Sequence, residues 1–149
     1  MDRRRFIKGV GAAGAAALNG IGGGVLGGGR AGTTILVEAQ NFDDRGGWVV
    51  DQQFMDQMGS PILLAHGLGR PVKDATHTVN LPESGAYRVW VRTRNWVAPW
   101  NAKPAPGRFR VLVDGRPLDP VFGTEGREWH WQDGGRGKLG AGPSTIALR

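Results

Sequence analysis

The sequence predicts an all-β domain, an antiparallel β-sandwich or jelly roll, behind a cleavable leader. From Thr33 onward, apolar and polar residues alternate with a period of two, which is typical of half-buried strands. No stretch of a dozen residues holds a helical period. Glycine, proline and other turn residues separate the alternating segments at short intervals. Short strands with frequent turns and no helices between them favour a sandwich over a mixed α/β fold.

The clearest predicted strand covers residues 87–94. Its apolar set, Tyr87, Val89, Val91 and Thr93, alternates with a polar set, so one face of the strand should lie against the core and the other should face solvent. The alternation in this strand therefore predicts which face of the sheet lies against the core.

Shorter strands are predicted at residues 35–39, 76–81, 109–113, 129–131 and 145–148. The turn-rich residues 82–85 separate strands 76–81 and 87–94, so we expect these two strands to pair as a hairpin. Asp114-Gly115 is a strong turn signal, and Gly134-Gly135 and the Gly/Pro-rich residues 140–143 predict loops. Phe54 and Met58 lie four residues apart, which predicts either one helical turn or a structured loop over residues 51–59.

Residues 1–31 show the parts of a twin-arginine signal peptide in order. The basic motif Arg3-Arg4-Arg5-Phe6-Ile7-Lys8 is followed by residues 9–26, an uncharged stretch too rich in glycine for a stable membrane span. We expect cleavage after Ala31 and export to the periplasm or the medium, which leaves residues 32–149 as the domain. A leader of the general secretion route is the alternative.

The positive charge of the chain is concentrated in the leader. Of the formal +6, residues 1–31 supply +4, from five basic and one acidic residue, and the other 118 residues supply +2, from 14 basic and 12 acidic residues. So small an excess of positive charge does not predict the basic surface patch that nucleic-acid-binding domains carry, so we expect no nucleic-acid partner. Cysteine is absent from these 149 residues, which excludes disulfides and thiolate metal sites within them.

Several segments of the domain resemble one protein family. They are Val37-Glu38-Ala39, Gly46-Gly47-Trp48, DQQFMDQMGSP (51–61), LLAHGLG (63–69), PVKDA (71–75), YRVWVRTRNWVAPW (87–100), PGRFRVLVDG (106–115) and FGTEGREWHWQDGG (122–135). Together they resemble the exported N-terminal module of bacterial FAD-dependent oxidoreductases of the FAD_oxidored type. That module is similar in outline to the carbohydrate-binding jelly rolls of polysaccharide-degrading enzymes.

The resemblance implies a longer parent protein. In the family, the module is followed by a last strand and a flavin domain, which would be the partner of this module in the parent. The sequence ends at Arg149 within a predicted strand, so we expect the sandwich to lack its last strand. We expect no cofactor in this chain and FAD in the parent. Residues 9–14 fit G-x-G-x-x-G, but no apolar strand precedes them, so we reject a dinucleotide site there.

Six tryptophans stand out in a domain of this size, at positions 48, 90, 96, 100, 129 and 131. Exposed indole rings stack on the apolar faces of pyranose rings, so tryptophan on a sandwich surface favours sugar binding, with core packing as the alternative. We expect Trp48 in the core. The candidate ligand-binding tryptophans lie in or beside polar, Pro-rich or Gly-rich segments: Trp96, Trp100, Trp129 and Trp131.

Arginines on the polar face of strand 87–94 extend this hypothesis. Arg88, Arg92 and Arg94 share that face with Trp90, and guanidinium groups bind the carboxylates of acidic polysaccharides through paired hydrogen bonds. A solvated strand face is the alternative. Arg92 and Arg94 join the tryptophans in the candidate ligand-binding set.

Candidate metal ligands and catalytic groups are sparse. Glu38, Asp43 and Asp44 follow the first predicted strand and are candidate ligands for a structural calcium ion, which prefers oxygen ligands. The histidines at 66, 77 and 130 show no ligand spacing, and no G-x-S-x-G nucleophile motif occurs. We therefore expect no catalytic residues in this chain.

The sequence leads to three functional hypotheses. The first is an exported, non-catalytic accessory module that recognises a polysaccharide or oligosaccharide and derives from the N-terminal part of an FAD-dependent oxidoreductase. The second is a part of such an oxidoreductase in which the module covers or shapes the flavin site. The third is a structural or oligomerising module whose sheet edge pairs with another chain.

Overall fold

The structure, a computed structural model, describes residues 16–21, 33–67, 69–101 and 105–149, and of residues 16–21 only the backbone. The twin-arginine motif, the cleavage site predicted at Ala31 and residues 9–14 lie outside this part of the chain. The elements that follow one another are β1 (Ala16–Ile21), β2 (Thr34–Val37), a 3-10 turn (Ala39–Asn41), β3 (Trp48–Asp51), α1 (Met55–Met58), β4 (Ile62–Ala65), β5 (Ala75–Leu81), β6 (Gly85–Thr93), a second 3-10 turn (Ala98–Trp100), β7 (Val111–Val113), β8 (Arg116–Pro117), β9 (His130–Leu139) and β10 (Gly142–Leu148).

The strands form antiparallel sheets around a single apolar core, which confirms the predicted all-β sandwich. One four-stranded sheet has the order β2-β1-β6-β9, a second has the order β5-β10-β7-β8, and β3 pairs with β4. Buried side chains of both four-stranded sheets belong to the same cluster, among them Val89 and Val91 of β6 and Ile146 and Leu148 of β10. Burial of these apolar residues between the sheets is the main source of stability.

The orientation of β6 follows the predicted alternation. Tyr87, Val89, Val91 and Thr93 are all buried, while the residues between them are half-buried. A period of two places alternate side chains on opposite faces of a strand, so one apolar set in the sequence was sufficient to define the core face.

The predicted hairpin of strands 76–81 and 87–94 is wrong. β5 pairs with β10 in one sheet, whereas β6 pairs with β1 and β9 in the other. The turn at residues 82–84 therefore connects the two sheets. The hydroxyl of Tyr87 donates a hydrogen bond of 2.7 Å to the Glu83 carbonyl oxygen and fixes the start of β6 to this connection.

The loop predicted at Gly134-Gly135 is also wrong, because β9 continues through both residues. The register of the β6–β9 ladder shifts between Arg88 and Trp90, which marks a β-bulge. A Cβ atom at Gly134 would lie 3.2 Å from the Val89 carbonyl oxygen, and Gly135 has a φ of 90°. These glycines therefore permit a bulge inside the strand and do not end it.

The predicted Asp114-Gly115 turn is confirmed. It connects β7 to β8, and both residues have positive φ values, 49° and 74°, as a type I′ turn requires. The Asp114 carboxylate accepts hydrogen bonds from the Ser144 hydroxyl at 3.0 Å and from the Thr145 amide at 2.8 Å. The turn is thus attached to the neighbouring strand β10.

Two further regions extend the predicted outline. Residues 51–59 contain a single helical turn, α1, which ends at Gly59 in a left-handed conformation, and this confirms one of the two alternatives for that segment. The β3–β4 pair was not predicted, and β1 lies in the apolar stretch of the predicted leader.

Within the described ranges, no helix is long and apolar enough to span a membrane.

Candidate functional site

A cleft of about 550 Å³ lies beside β4 and the end of β6. Three segments form most of its walls: β4 with residues 67 and 69–72, the end of β6 with Arg94 and Trp96, and the turn-rich residues 105–109. Its lining includes four aromatic and four basic side chains: Trp48, Trp96, Phe109, Trp129, Arg70, Arg94, Arg108 and Arg149.

The indole rings of Trp96 and Trp129 line one side of the cleft, and together with the Phe54 ring, which is not a lining residue, they form an aromatic corner. The Phe54 ring, just before α1, contacts two indole rings edge to face, with centroid distances of 6.0 Å to Trp96 and 5.4 Å to Trp129. Edge-to-face pairs of this kind hold the rings in fixed orientations. Trp96 remains 37% exposed, so part of its indole is open to a ligand.

Arg94 lies against the same corner. Its guanidinium carbon is 5.0 Å from the centroid of the Phe54 ring and 5.6 Å from that of Trp129. A cation over aromatic faces is attracted by the ring quadrupoles, and this contact does not use the in-plane N–H donors of the guanidinium group. Arg94 is therefore positioned beside the indoles by aromatic contacts rather than by a carboxylate.

Three N–H donors at the cleft have no hydrogen-bond acceptor among the described residues. They are Trp48 Nε1, Trp129 Nε1 and Arg94 Nε, all buried. Buried donors normally have partners, since an unpaired one costs free energy. The oxygens of sugar hydroxyl and carboxylate groups are suitable acceptors, although these buried atoms become accessible only when their side chains turn.

The charge of the cleft is positive. Arg70, Arg94, Arg108 and Arg149 line it, and no acidic residue in the described ranges does so. Arg149 already pairs with Asp74, with an Nη2–Oδ2 distance of 2.9 Å, and this carboxylate raises the pKa of the Arg149 guanidinium. No carboxylate among the described residues pairs with the other three arginines.

The structure divides the six residues predicted to bind a ligand. Trp96, Trp129 and Arg94 line the cleft, whereas Trp100, Trp131 and Arg92 do not. Trp100 is 70% exposed, in the second 3-10 turn.

Arg92 and Trp131 are neighbours across the β6–β9 ladder. Arg92 Nη2 donates a hydrogen bond of 3.2 Å to the Gln57 carbonyl oxygen, and burial lowers the pKa of the Arg92 guanidinium. Both side chains are half-buried, and Trp131 packs against the edge of the core. The hydrogen bond to α1 favours a structural role for Arg92, and packing against the core favours one for Trp131.

Arg88, on the same strand face as Arg92, is engaged by a carboxylate of this chain. It forms a two-point ion pair with Asp133, in which Nε lies 3.0 Å from Oδ1, and its guanidinium carbon is 4.9 Å from the Trp90 ring centroid. The hydrogen bond from Arg88, followed by one from the Gly135 amide, lowers the pKa of Asp133 to about 2. Arg88 is therefore less available to an acidic ligand than the cleft arginines.

The three predicted calcium ligands have separate environments. Asp43 Oδ2 accepts a hydrogen bond from the Thr78 amide at 2.8 Å and lies 3.2 Å from His77 Nδ1, without hydrogen-bond geometry. Asp44 binds the Gly46 amide and the Lys73 ammonium group, contacts that lower the pKa of its carboxyl group.

Glu38 is half-buried, and its Oε2 atom has no partner in the described part of the chain. No group of three or more acidic, histidine or cysteine side chains gathers there as a metal site. The three residues thus do not fit a shared calcium ion as a set, and calcium stays a prediction.

Several cleft residues were not anticipated. Trp48 was expected in the core, and it does pack against the core cluster, but it also lines the cleft and contacts Phe109 edge to face at 5.8 Å. Arg70 and Arg108 each lie in a Gly/Pro-rich segment, at 67–71 and 105–108. The position of each arginine in a turn-rich segment could have indicated a binding role, because loops at the ends of strands often carry binding residues.

Comparisons with known proteins address the fold. No family model matches the chain, and no curated protein matches it. Among solved structures, the chain is similar to the GH26-CBM35 β-(1,4)-mannanase of Podospora anserina, with a TM-score of 0.57 and 18% sequence identity. The match covers 75% of this chain and 23% of the mannanase chain, so this chain spans less than a quarter of that protein. At this identity the similarity shows the fold alone, and that fold is the predicted antiparallel β-sandwich.

Proposed function

We propose that this chain is a carbohydrate-binding β-sandwich module that holds a polysaccharide or oligosaccharide in the cleft. The observation that carries the proposal is the combination of Trp96, Trp129 and Arg94 at the wall of one open cleft. Indole rings provide flat apolar surfaces for pyranose rings, and the guanidinium group provides hydrogen bonds to their oxygens. The fold similarity to a protein whose name includes a carbohydrate-binding module, CBM35, supports the same function.

The charge of the cleft favours a glycan that carries carboxylate groups. Arg70, Arg94 and Arg108 have no carboxylate partner among the described residues, and all three line the cleft. Arginine binds carboxylates through two parallel hydrogen bonds, which gives both affinity and orientation. The proposed ligand is therefore an acidic polysaccharide, such as a chain of uronic acid residues.

The module binds its ligand without cleaving it. Hydrolysis of a glycosidic bond commonly requires two carboxyl groups on either side of the bond. The cleft is lined by arginine, aromatic and aliphatic residues, and no Asp or Glu from the described ranges faces it. A cleft of this composition is suited to recognition.

The origin of the module is a separate part of the proposal. We infer from the sequence resemblance that the module derives from the N-terminal part of an exported FAD-dependent oxidoreductase. Sequencing the gene beyond the codon for Arg149 tests this origin. A continuing reading frame that encodes a strand followed by G-x-G-x-x-G would support it, and a frame without a flavin domain would contradict it.

Affinity electrophoresis tests the binding function directly. The chain is run in native gels that contain polygalacturonate, alginate, galactomannan or β-glucan, and in a gel without polysaccharide. We expect retardation in the two acidic gels relative to the plain gel, with serum albumin as the reference protein. Equal migration in all five gels would contradict carbohydrate binding. Retardation in the neutral gels alone would contradict an acidic ligand but would still support carbohydrate binding.

A further inference from the structure

A segment of the predicted leader is an inner strand of the sandwich. β1 (Ala16–Ile21) lies between β2 and β6 and runs antiparallel to both. Four of its residues pair with β2 and all six pair with β6. Leu18, for example, occupies the register position between Ile35 and Val89.

The sheet depends on this strand for its continuity. Among the described residues, β1 is the strand that pairs with β2, so without β1 the strand β2 is separated from the sheet. β2 contributes Val37, which is buried, and Ile35, which packs against the core. Loss of β1 would also leave one edge of β6 with unpaired N–H and C=O groups.

We propose that the space between β2 and β6 is a strand-acceptor site and that Ala16–Ile21 remains its occupant in the folded module. The kind of partner that fits is an extended segment that binds two flanking strands through its main chain, as in β-strand addition. The strand pairing supports this segment as the occupant, because the same residues pair with β2 on one side and with β6 on the other. A cut between β1 and β2, including one at Ala31, would then leave the segment bound without a covalent link.

This proposal differs from the carbohydrate-binding function and is tested separately. A protease recognition sequence is inserted between Gly23 and Gly24 of the full chain, and the purified protein is cut at this site. The fragments are separated by size-exclusion chromatography, first under native conditions and then in denaturant, and identified by mass spectrometry. We expect the N-terminal fragment to elute with the module under native conditions and to separate from it in denaturant. Separation under native conditions would overturn the proposal.

A matched pair of substitutions tests whether the main chain holds the fragment. Proline lacks the amide N–H and is not accommodated in an inner strand, so we expect Leu18→Pro to release the fragment after cleavage. Leu18→Val retains the N–H and favours an extended conformation, so this variant should retain the fragment. Retention by the proline variant would contradict strand pairing as the means of binding.

Discussion

The Arg94 guanidinium carbon lies 5.0 Å from the centroid of the Phe54 ring, although Phe54 precedes α1 and Arg94 follows β6 in the sequence. The same guanidinium contacts Trp129 at 5.6 Å, so one cation joins the segments that precede α1, follow β6 and precede β9. Aromatic contacts thereby place a positive charge at the cleft without neutralising it.

Substitution of Arg94 should weaken binding of an acidic oligosaccharide. Arg94→Gln removes the charge and the paired donors, and we expect a loss of affinity of about tenfold or more, equivalent to ~1.4 kcal/mol. Isothermal titration calorimetry measures the dissociation constant. Arg116→Gln is the matched control, since Arg116 is exposed in β8 and does not line the cleft. Equal losses in both variants would indicate a general charge effect and not a site.

The tryptophans should differ in their effect on binding. Trp96 lines the cleft, whereas Trp100 is more exposed and lies outside it. We expect Trp96→Ala to reduce affinity about tenfold through loss of the stacking surface, and Trp100→Ala to leave it unchanged. Quenching of tryptophan fluorescence during titration gives an independent affinity. A larger loss for Trp100→Ala would place the binding surface outside the cleft.

The ion pair between Arg88 and Asp133 should make stability depend on pH. The pKa of Asp133 is lowered from 3.8 to about 2, so the pair stabilises the fold above pH 4 and its contribution is lost as the pH falls towards 2. Asp133→Asn should therefore lower the melting temperature at pH 7, by a modest amount because both side chains are about one-third exposed, and the difference from wild type should shrink below pH 4 and be largely lost as the pH falls through about 2.

Asp119→Asn is the control for this pH series, because Asp119 is exposed and forms no ion pair in the part of the chain that the structure describes. Its melting temperature should follow that of the wild type at every pH. A difference between Asp133→Asn and the wild type that persists unchanged down to pH 2 would show that the ionised pair is not the cause.

The connection between the two sheets should be sensitive to loss of one hydroxyl group. Tyr87→Phe removes the 2.7 Å hydrogen bond to the Glu83 carbonyl oxygen while the buried ring remains. We expect the free energy of unfolding in urea to fall by about 1 kcal/mol. The denaturant slope should not change, because the exposed area on unfolding stays the same. An unchanged midpoint would show that the turn is held by its backbone alone.

Sequence reasoning succeeded where a local pattern determines structure. The alternation in residues 87–93 defined the core face of β6, and Asp114-Gly115 defined a tight turn. Both depend on side-chain period or on backbone conformation within a few residues. The prediction for Trp48 was half right, because Trp48 packs against the core and also lines the cleft. Its apolar side chain predicts burial, but the sequence does not show which residues surround it.

The errors concern relationships between distant segments. Residues 82–84 have the composition of a hairpin turn, yet they connect two sheets, because the partners of β5 and β6 are set by packing of the whole chain. Gly134-Gly135 was read as a loop, although glycine also permits a bulge within a strand. The contacts by which Phe54 positions Arg94 and Trp129 could not be predicted, because they join segments separated by at least forty residues.

The most direct test of the account compares one oligosaccharide with and without its carboxylate groups. The full chain is titrated by calorimetry with a galacturonate oligomer and with the same oligomer after carboxyl reduction, at low and high salt. We predict that the acidic oligomer binds at least about tenfold more tightly at low salt and that salt reduces this advantage, because screening weakens exposed charge pairs. Equal affinity for the two oligomers at both salt concentrations would contradict recognition of an acidic glycan by the cleft arginines.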